Sequence, residues 1–287
     1  MARSRVSRAW RWVRIGSALA LLAGIALPAD VHAQQTQAGA TAIDPALAEI
    51  IAGPHRAEKD RARDIYRHPG ETLTFFGLKP DMTVVEIWPG GGWYTDIIAP
   101  YVKGKGRYYA AGRNRDAKDE RIQKSIASYD EKLAAKPELF GEVIVTELSQ
   151  SKGDIAPAGS VDLVLTFRNI HNWMKFGFEK AIFAAMFKAL KPGGALGVVE
   201  HRADPQEFPD PQALSGYVQV EQVKQMALQV GFEFVVASEV NANPKDGRKH
   251  PKGVWTLPPS LRLGDEDKEK YLAIGESDRM TLLFRRP

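Results

Sequence analysis

Apolar and polar positions change period several times along this chain, and each change marks an element. Residues 84–88 (Val-Val-Glu-Ile-Trp) are a short, largely β-branched run of the kind that forms a buried parallel strand. Pro89 and three glycines, Gly90, Gly91 and Gly92, follow, and 93–102 then take helical spacing. Further strands are predicted over 107–112, 142–148, 161–167 and 195–200. Between them Ile122, Ile126, Tyr129 and Leu133 lie on one helical stripe, and Phe178, Ile182, Met186 and Leu190 on another that Lys191-Pro192-Gly193-Gly194 breaks. Ser215 is placed to cap a helix with Val220, Val223, Ala227 and Val230 inward, closed by Gly231. Phe232, Phe234 and Val236 alternate as a strand, and 279–286 returns as the last one. Upstream, Asp44 and Pro45 start a helix ending near Gly53. The mostly charged 56–67 reads as a helix with a solvated face, and 71–77 as a short helix turning Leu73, Phe75 and Phe76 toward the core. Residues 241–278, rich in proline, glycine and charge, make an unusually long connection. The pattern predicts a doubly wound α/β fold: a Rossmann-like, seven-stranded, mostly parallel sheet with an antiparallel last strand, plus N-terminal helices.

The first 33 residues follow a different rule. Arg3, Arg5, Arg8, Arg11 and Arg14 precede an apolar run at 15–27, and Val31-His32-Ala33 suits cleavage after Ala33, the pattern of a secretory signal peptide. The apolar run is short for a bilayer span. The chain also lacks cysteine, which leaves no lipid-attachment site and no disulfide. The expectation is a periplasmic or secreted protein with no stable membrane insertion after cleavage. Its segments would be a flexible linker at 34–43, an N-terminal helical region at 44–80 and the α/β domain at 81–287. The leader's five arginines and Asp30 account for the chain's whole formal charge of +4. The remainder is balanced, which disfavours nucleic acid as a partner. A small-molecule substrate is expected, and nothing in the pattern fixes an oligomeric state.

Ligands of open α/β sheets sit at the carboxyl ends of the strands, so the polar residues there are the candidates. A Gly-rich turn lets a ligand approach the backbone with no Cβ in the way, while amides at a helix start face it. Gly90, Gly91 and Gly92 fit that use. Arg168, Asn169, His171, Asn172 and Trp173 follow the fourth strand, and His201 and Arg202 the fifth. His171 near neutral pH suits proton abstraction from a hydroxyl or amine, Asn172 suits orienting it or the substrate, and His201 is a further catalytic candidate. Glu86 is expected as a buried carboxylate that bonds the glycine-loop amides and shapes the pocket. Tyr94 is read either as a stacking partner for a ligand or as core. No metal is expected, since His55, His68, His171, His201 and His250 show no ligand spacing.

Taken in order, the segments 84–98, 160–173 and 189–201 resemble the class I S-adenosylmethionine-dependent methyltransferases, with the LKPGG turn before a strand as the most specific piece. Within that superfamily the chain is similar to an exported predicted-methyltransferase family carrying PGGGWYT and FRNIHNW. The resemblance implies S-adenosyl-L-methionine as cofactor and the N-terminal helices as a lid. It makes Arg168 and Asn169 cofactor contacts, and an acidic residue after the third strand, Glu147 or Asp154, the adenine contact. Two positions depart from the family. Trp88 stands for the first loop glycine, and Gly112 for the acid that grips the ribose, leaving Asn114 or Asp116 to substitute if the loop folds back. The function implied is methyl transfer to a small molecule in the cell envelope. The alternatives are a catalytically degenerate relative that binds an envelope ligand, and a binder of another adenine nucleotide.

Overall fold

The sheet is built around β1 (Thr83–Ile87), whose buried Val84, Val85 and Ile87 need apolar cover on both faces. A computed structural model describes residues 42–287; the leader and the linker up to residue 41 lie outside the described residues. Before β1 come α1 (Pro45–Ala52), α2 (Glu58–Arg61), α3 (Asp64–Arg67) and α4 (Pro69–Phe75). After it follow α5 (Thr95–Val102), β2 (Arg107–Gly112), α6 (Glu120–Ala135), α7 (Pro137–Phe140), β3 (Ile144–Glu147) and β4 (Val161–Phe167). The chain ends with α8 (Ile170–Phe176), α9 (Glu179–Ala189), β5 (Leu190–His201), α10 (Val220–Gln229), β6 (Glu233–Ser238), α11 (Lys268–Ile274) and β7 (Arg279–Arg285).

The seven strands lie in the order β3-β2-β1-β4-β5-β7-β6, with β7 antiparallel to both neighbours and every other pairing parallel. β1 therefore pairs with β2 on one side and β4 on the other, and the winding reverses between them. The carboxyl ends of β1 and β4 open there into the crevice where such sheets bind ligands. One face packs under α8, α9 and α10 with Trp173, Phe183 and Met186 inside. The other packs under α1, α4 and α5 with Leu47, Leu73 and Ile97. Each such side chain, fully buried, contributes roughly 1.5–3 kcal/mol.

Several boundaries differ from the sequence reading, each for a tertiary reason. Residues 56–67 form two separate turns, and the face read as solvated is partly buried, with Arg56 and Arg67 at 1% and 5% exposure. Arg56 makes a two-pronged bond to Asp64 at 2.7 and 2.8 Å, and both guanidiniums lie over the Trp93 ring, an arrangement that stabilises buried charge. β5 starts at Leu190, because Gly193 N donates to Arg286 O and Arg286 N to Gly194 O, extending the ladder through the proline-glycine turn. Gln219 caps α10 in place of Ser215, through a reciprocal box with Gln222. The 241–278 connection contains α11 and a 3₁₀ turn at Gly253–Thr256. It is tied down by the buried Asn241, Asp246, Glu276 and Asp278; Asp278 alone binds Arg202 and Arg248.

Candidate active site

The glycine loop sits at the carboxyl end of β1. Gly90 and Gly92 take φ of 60° and 76°, a left-handed backbone that glycine adopts at little cost. Lys132 of α6 fixes the loop by donating to Gly91 O at 3.1 Å, Gly92 O at 3.0 Å and Asp96 at 2.6 Å. The amides of Gly90 and Gly91 make no backbone bond among the described residues. A Cβ added at either glycine meets no atom within 4 Å. The backbone therefore faces free space, with two amides that a ligand can use. Beside it an open cleft is lined by Trp88, Gly90, Gly112, Arg113, Ile126 and Asp130 among others.

Trp88 holds φ 48° where the resemblance expects glycine. Its indole turns inward, donating from Nε1 to Leu148 O at 3.0 Å, packing edge-on to Trp173, and lying under the Arg113 guanidinium at 4.0 Å. The site therefore has an aromatic floor in place of the missing glycine hydrogen. β2 itself ends without an acidic residue, and the carboxylate that lines the cleft is Asp130 of α6, held by Arg115 at 2.7 and 2.8 Å. Gly112 contributes only backbone, Asn114 accepts from Asp116 N at 3.0 Å in its own turn, and Asp116 pairs with Lys152. Glu147 is spent on Arg115 N at 2.8 Å and Lys152 at 2.9 Å. Asp154 is 87% exposed, paired with Lys188 and outside the lining of that cleft.

Glu86 is buried, but its partners are not the loop amides. Alternation along β1 turns it toward α5, where Thr95 Oγ1 donates to it at 3.3 Å and the Tyr108 hydroxyl also donates. Burial pushes its carboxyl up to about 7. Tyr94 stacks on Phe167 with ring centres 3.5 Å apart and is buried, the core alternative. Asn169 is likewise internal, donating to Ile87 O at 2.9 Å and so tying the ends of β4 and β1 together.

β4 and β5 bring the two histidines together. His171, in the first turn of α8, lies with its ring centre 5.4 Å from that of His201 at the end of β5, and Trp255 of the long connection approaches within 5.9 Å. His171 Nδ1 is 3.1 Å from Glu200 Oε1, and Asn172 Nδ2 is 3.0 Å from His171 Nε2. These contacts assign the proton to Nδ1, donating to the carboxylate, and leave the Nε2 lone pair facing Asn172. Glu200 Oε2 also accepts Ile170 N at 2.6 Å and His171 N at 3.3 Å, where a helix start favours negative charge. His201 Nδ1 bonds Ser277 Oγ at 2.5 Å. Burial, then His171 and the charges of Arg279, Arg168 and Arg67, hold its ring well below the usual histidine range.

His171, Glu200 and His201 are the one metal-sized cluster among the described residues. Histidine spacing gave no sign of it. Glu200 already accepts four hydrogen bonds, the last from His201 N at 2.8 Å. The arginines around His201 also oppose a cation, so the donor set suits proton chemistry better. Glu200 and Lys132 are the functional residues that sequence reasoning missed. Glu200 lies within the 189–201 segment, one residue before His201, and Lys132 beside an apolar stripe, but neither position names its partner.

No protein-family model and no curated protein matches the chain. Solved structures do match it. A SAM dependent methyltransferase from Aquifex aeolicus is 17% identical with a TM-score of 0.53, over 84% of this chain and 98% of that one. The [4+2]-cyclase SpnF is 18% identical with a TM-score of 0.54, over 85% and 92%. Phosphoethanolamine N-methyltransferase 2 of Haemonchus contortus, in complex with S-adenosyl-L-methionine, is 15% identical with a TM-score of 0.50, over 84% and 56%. The chain thus has the Rossmann-like methyltransferase fold. A cyclase among the matches illustrates that this fold does not itself fix the reaction.

Proposed function

We propose that this protein is an S-adenosylmethionine-dependent methyltransferase acting on a small molecule in the cell envelope. The reading is supported by a histidine held by a buried carboxylate just after β4 and an open glycine turn just after β1, two strands that are neighbours in the sheet. Gly90 and Gly91 would hold the cofactor, with Trp88 and Arg113 flanking it. S-adenosyl-L-methionine, when bound, supplies a methyl group already activated by its sulfonium charge. Proximity then provides most of the acceleration. His171 Nε2 takes the proton of the acceptor's hydroxyl, amine or thiol once Asn172 swings aside, and Glu200 stabilises the resulting imidazolium through Nδ1. His201 stays neutral and borders the acceptor.

A second reading, a degenerate relative that binds an envelope ligand without methyl transfer, is favoured by Trp88 and by Gly112, which stands where the resemblance expects the ribose-binding acid. Calorimetry of residues 34–287 with S-adenosylmethionine and S-adenosylhomocysteine separates the two. Micromolar binding is expected for the first reading, and no binding at millimolar cofactor would establish the second. Recovery of a chain starting at Gln34 from the periplasmic or secreted fraction tests the location, and an intact N-terminus in the cytosol would overturn it.

A further inference from the structure

Between the carboxyl edge of the sheet and the N-terminal helices, the protein gathers more positive charge than it neutralises. Glu276 bonds Arg63 Nε at 2.5 Å, Arg67 Nε at 3.2 Å and Arg279 Nη2. Arg67, Arg279 and Glu276 are all buried. Arg279 also donates from Nη1 to Tyr66 O at 3.0 Å, yet its buried Nε has no partner. Arg168 adds a fourth guanidinium. It follows the Phe167–Val199 pair of the β4–β5 ladder, beside the strand end that carries His201, is half-buried, and among the described residues makes no salt bridge or side-chain hydrogen bond. Three guanidiniums share one carboxylate, and the fourth has none. Withdrawing an unpaired charge from water costs several kcal/mol, which an anionic ligand would offset.

Backbone geometry supports a ligand at the same place. Arg168 adopts φ 60°, a left-handed conformation that non-glycine residues seldom take, and is kept there by donation from its amide to Val199 O at 2.7 Å. Strain of this kind at a strand end accompanies function. Arg279 is directly opposite His201 in the β5–β7 ladder, so the two side chains leave the sheet on one face. The cluster thereby borders the histidine pair. A guanidinium presents a planar fork matched to carboxylate or phosphate oxygens.

We infer that this cluster receives a carboxylate or phosphate group of the substrate, with Arg168 as the contact residue and Arg67 and Arg279 supplying the field behind it. The inference makes the acceptor of the proposed methyl transfer an anionic small molecule, and it rests on that proposal only in calling the ligand an acceptor. The amino-acid carboxylate of the cofactor has the same chemistry, so the test separates the two.

Residues 34–287 and the Arg168→Gln and Arg168→Lys variants are titrated by calorimetry and thermal shift with inorganic phosphate, benzoate and the uncharged benzamide at constant ionic strength. S-adenosylhomocysteine and 5′-methylthioadenosine, which lacks the amino-acid tail, are titrated in parallel. Phosphate or benzoate is expected to bind and raise the melting temperature while benzamide does not. Arg168→Gln should weaken the anion at least about tenfold without lowering the melting temperature of the free protein, and Arg168→Lys should retain part of the affinity. The inference moves Arg168 from the cofactor, where the resemblance puts it, to the anion, so affinity for both adenosyl compounds should be unchanged in Arg168→Gln. Absence of anion binding to the parent overturns the inference. So does a loss confined to S-adenosylhomocysteine, with 5′-methylthioadenosine unaffected, because that assigns Arg168 to the cofactor. Anion binding without any adenosyl binding supports the anion site and counts against the methyltransferase reading alone.

Discussion

Glu200 and His171, 29 positions apart, meet carboxylate to imidazole at 3.1 Å, and the same carboxylate accepts the first amides of α8. One buried group therefore orients the ring and fixes the helix that carries it. The pairing requires β4 and β5 to lie side by side, as their register places them.

If His171 is the base, His171→Ala lowers turnover by roughly 10²–10⁴-fold and leaves affinity for S-adenosylhomocysteine unchanged. Glu200→Gln keeps an acceptor for the helix amides but loses the charge that stabilises the imidazolium, so it should lower turnover by less. Steady-state kinetics with an acceptor found by labelled-cofactor screening checks both, and unchanged turnover in His171→Ala would leave proximity as the sole source of rate.

Gly91 has room for a Cβ and an ordinary φ. Gly91→Val should therefore fold with a near-parent melting temperature while its branched side chain fills the cofactor's approach. Calorimetry should record at least about tenfold weaker binding. Equal affinity would remove this loop from the site.

Glu86 couples stability to pH. Its carboxyl is raised from 4.5 to about 7, so its contribution is complete below pH 4.5 and is lost as pH rises through 7. Glu86→Gln retains an acceptor for Thr95 and Tyr108 and never ionises. It should gain on the parent by up to about 3 kcal/mol at pH 8, with a smaller gain at pH 5. Urea unfolding at the two pH values measures the difference, and a pH-independent difference contradicts the assignment.

Glu276 acts in the opposite sense. Burial raises its carboxyl, but Arg279, Arg67 and Arg63 outweigh that and hold it at about 2, below its ordinary 4.5. Its stabilisation is present above pH 4.5 and lost as pH falls toward 2. Glu276→Gln leaves buried guanidiniums without their counter-charge, at a cost of about 3–5 kcal/mol at pH 7. That gap should narrow in unfolding curves at pH 3, and a constant gap would argue against an ionic origin.

Dialysis against a strong chelator should change neither melting temperature nor turnover, and added zinc should raise neither. Glu200's oxygens are committed to four donors, and Arg279 stands opposite His201 in the β5–β7 ladder. A metal-dependent melting temperature would reopen the histidine pair as a ligand set.

What the sequence determined by itself was everything carried by local period and local punctuation: strands as β-branched runs, helices as stripes, the Pro89 to Gly92 turn, and a last strand at the C-terminus. Those signals arise between residues a few positions apart, where backbone sterics and one-sided burial act directly. The resemblance picked out the strand ends that carry His171 and His201 for the same reason, since motifs are contiguous. What only the tertiary structure decided was who partners whom. Glu86 turned to Thr95 and Tyr108, away from the glycine amides; Asn169 became an internal brace; Asp154 faced solvent; Arg67 was buried against Glu276, 209 positions away. A charged side chain has no periodic signature for its partner. Its burial and hydrogen bonds are set by which distant strand or helix the winding brings beside it, and Coulomb energy depends on that distance rather than on separation along the chain.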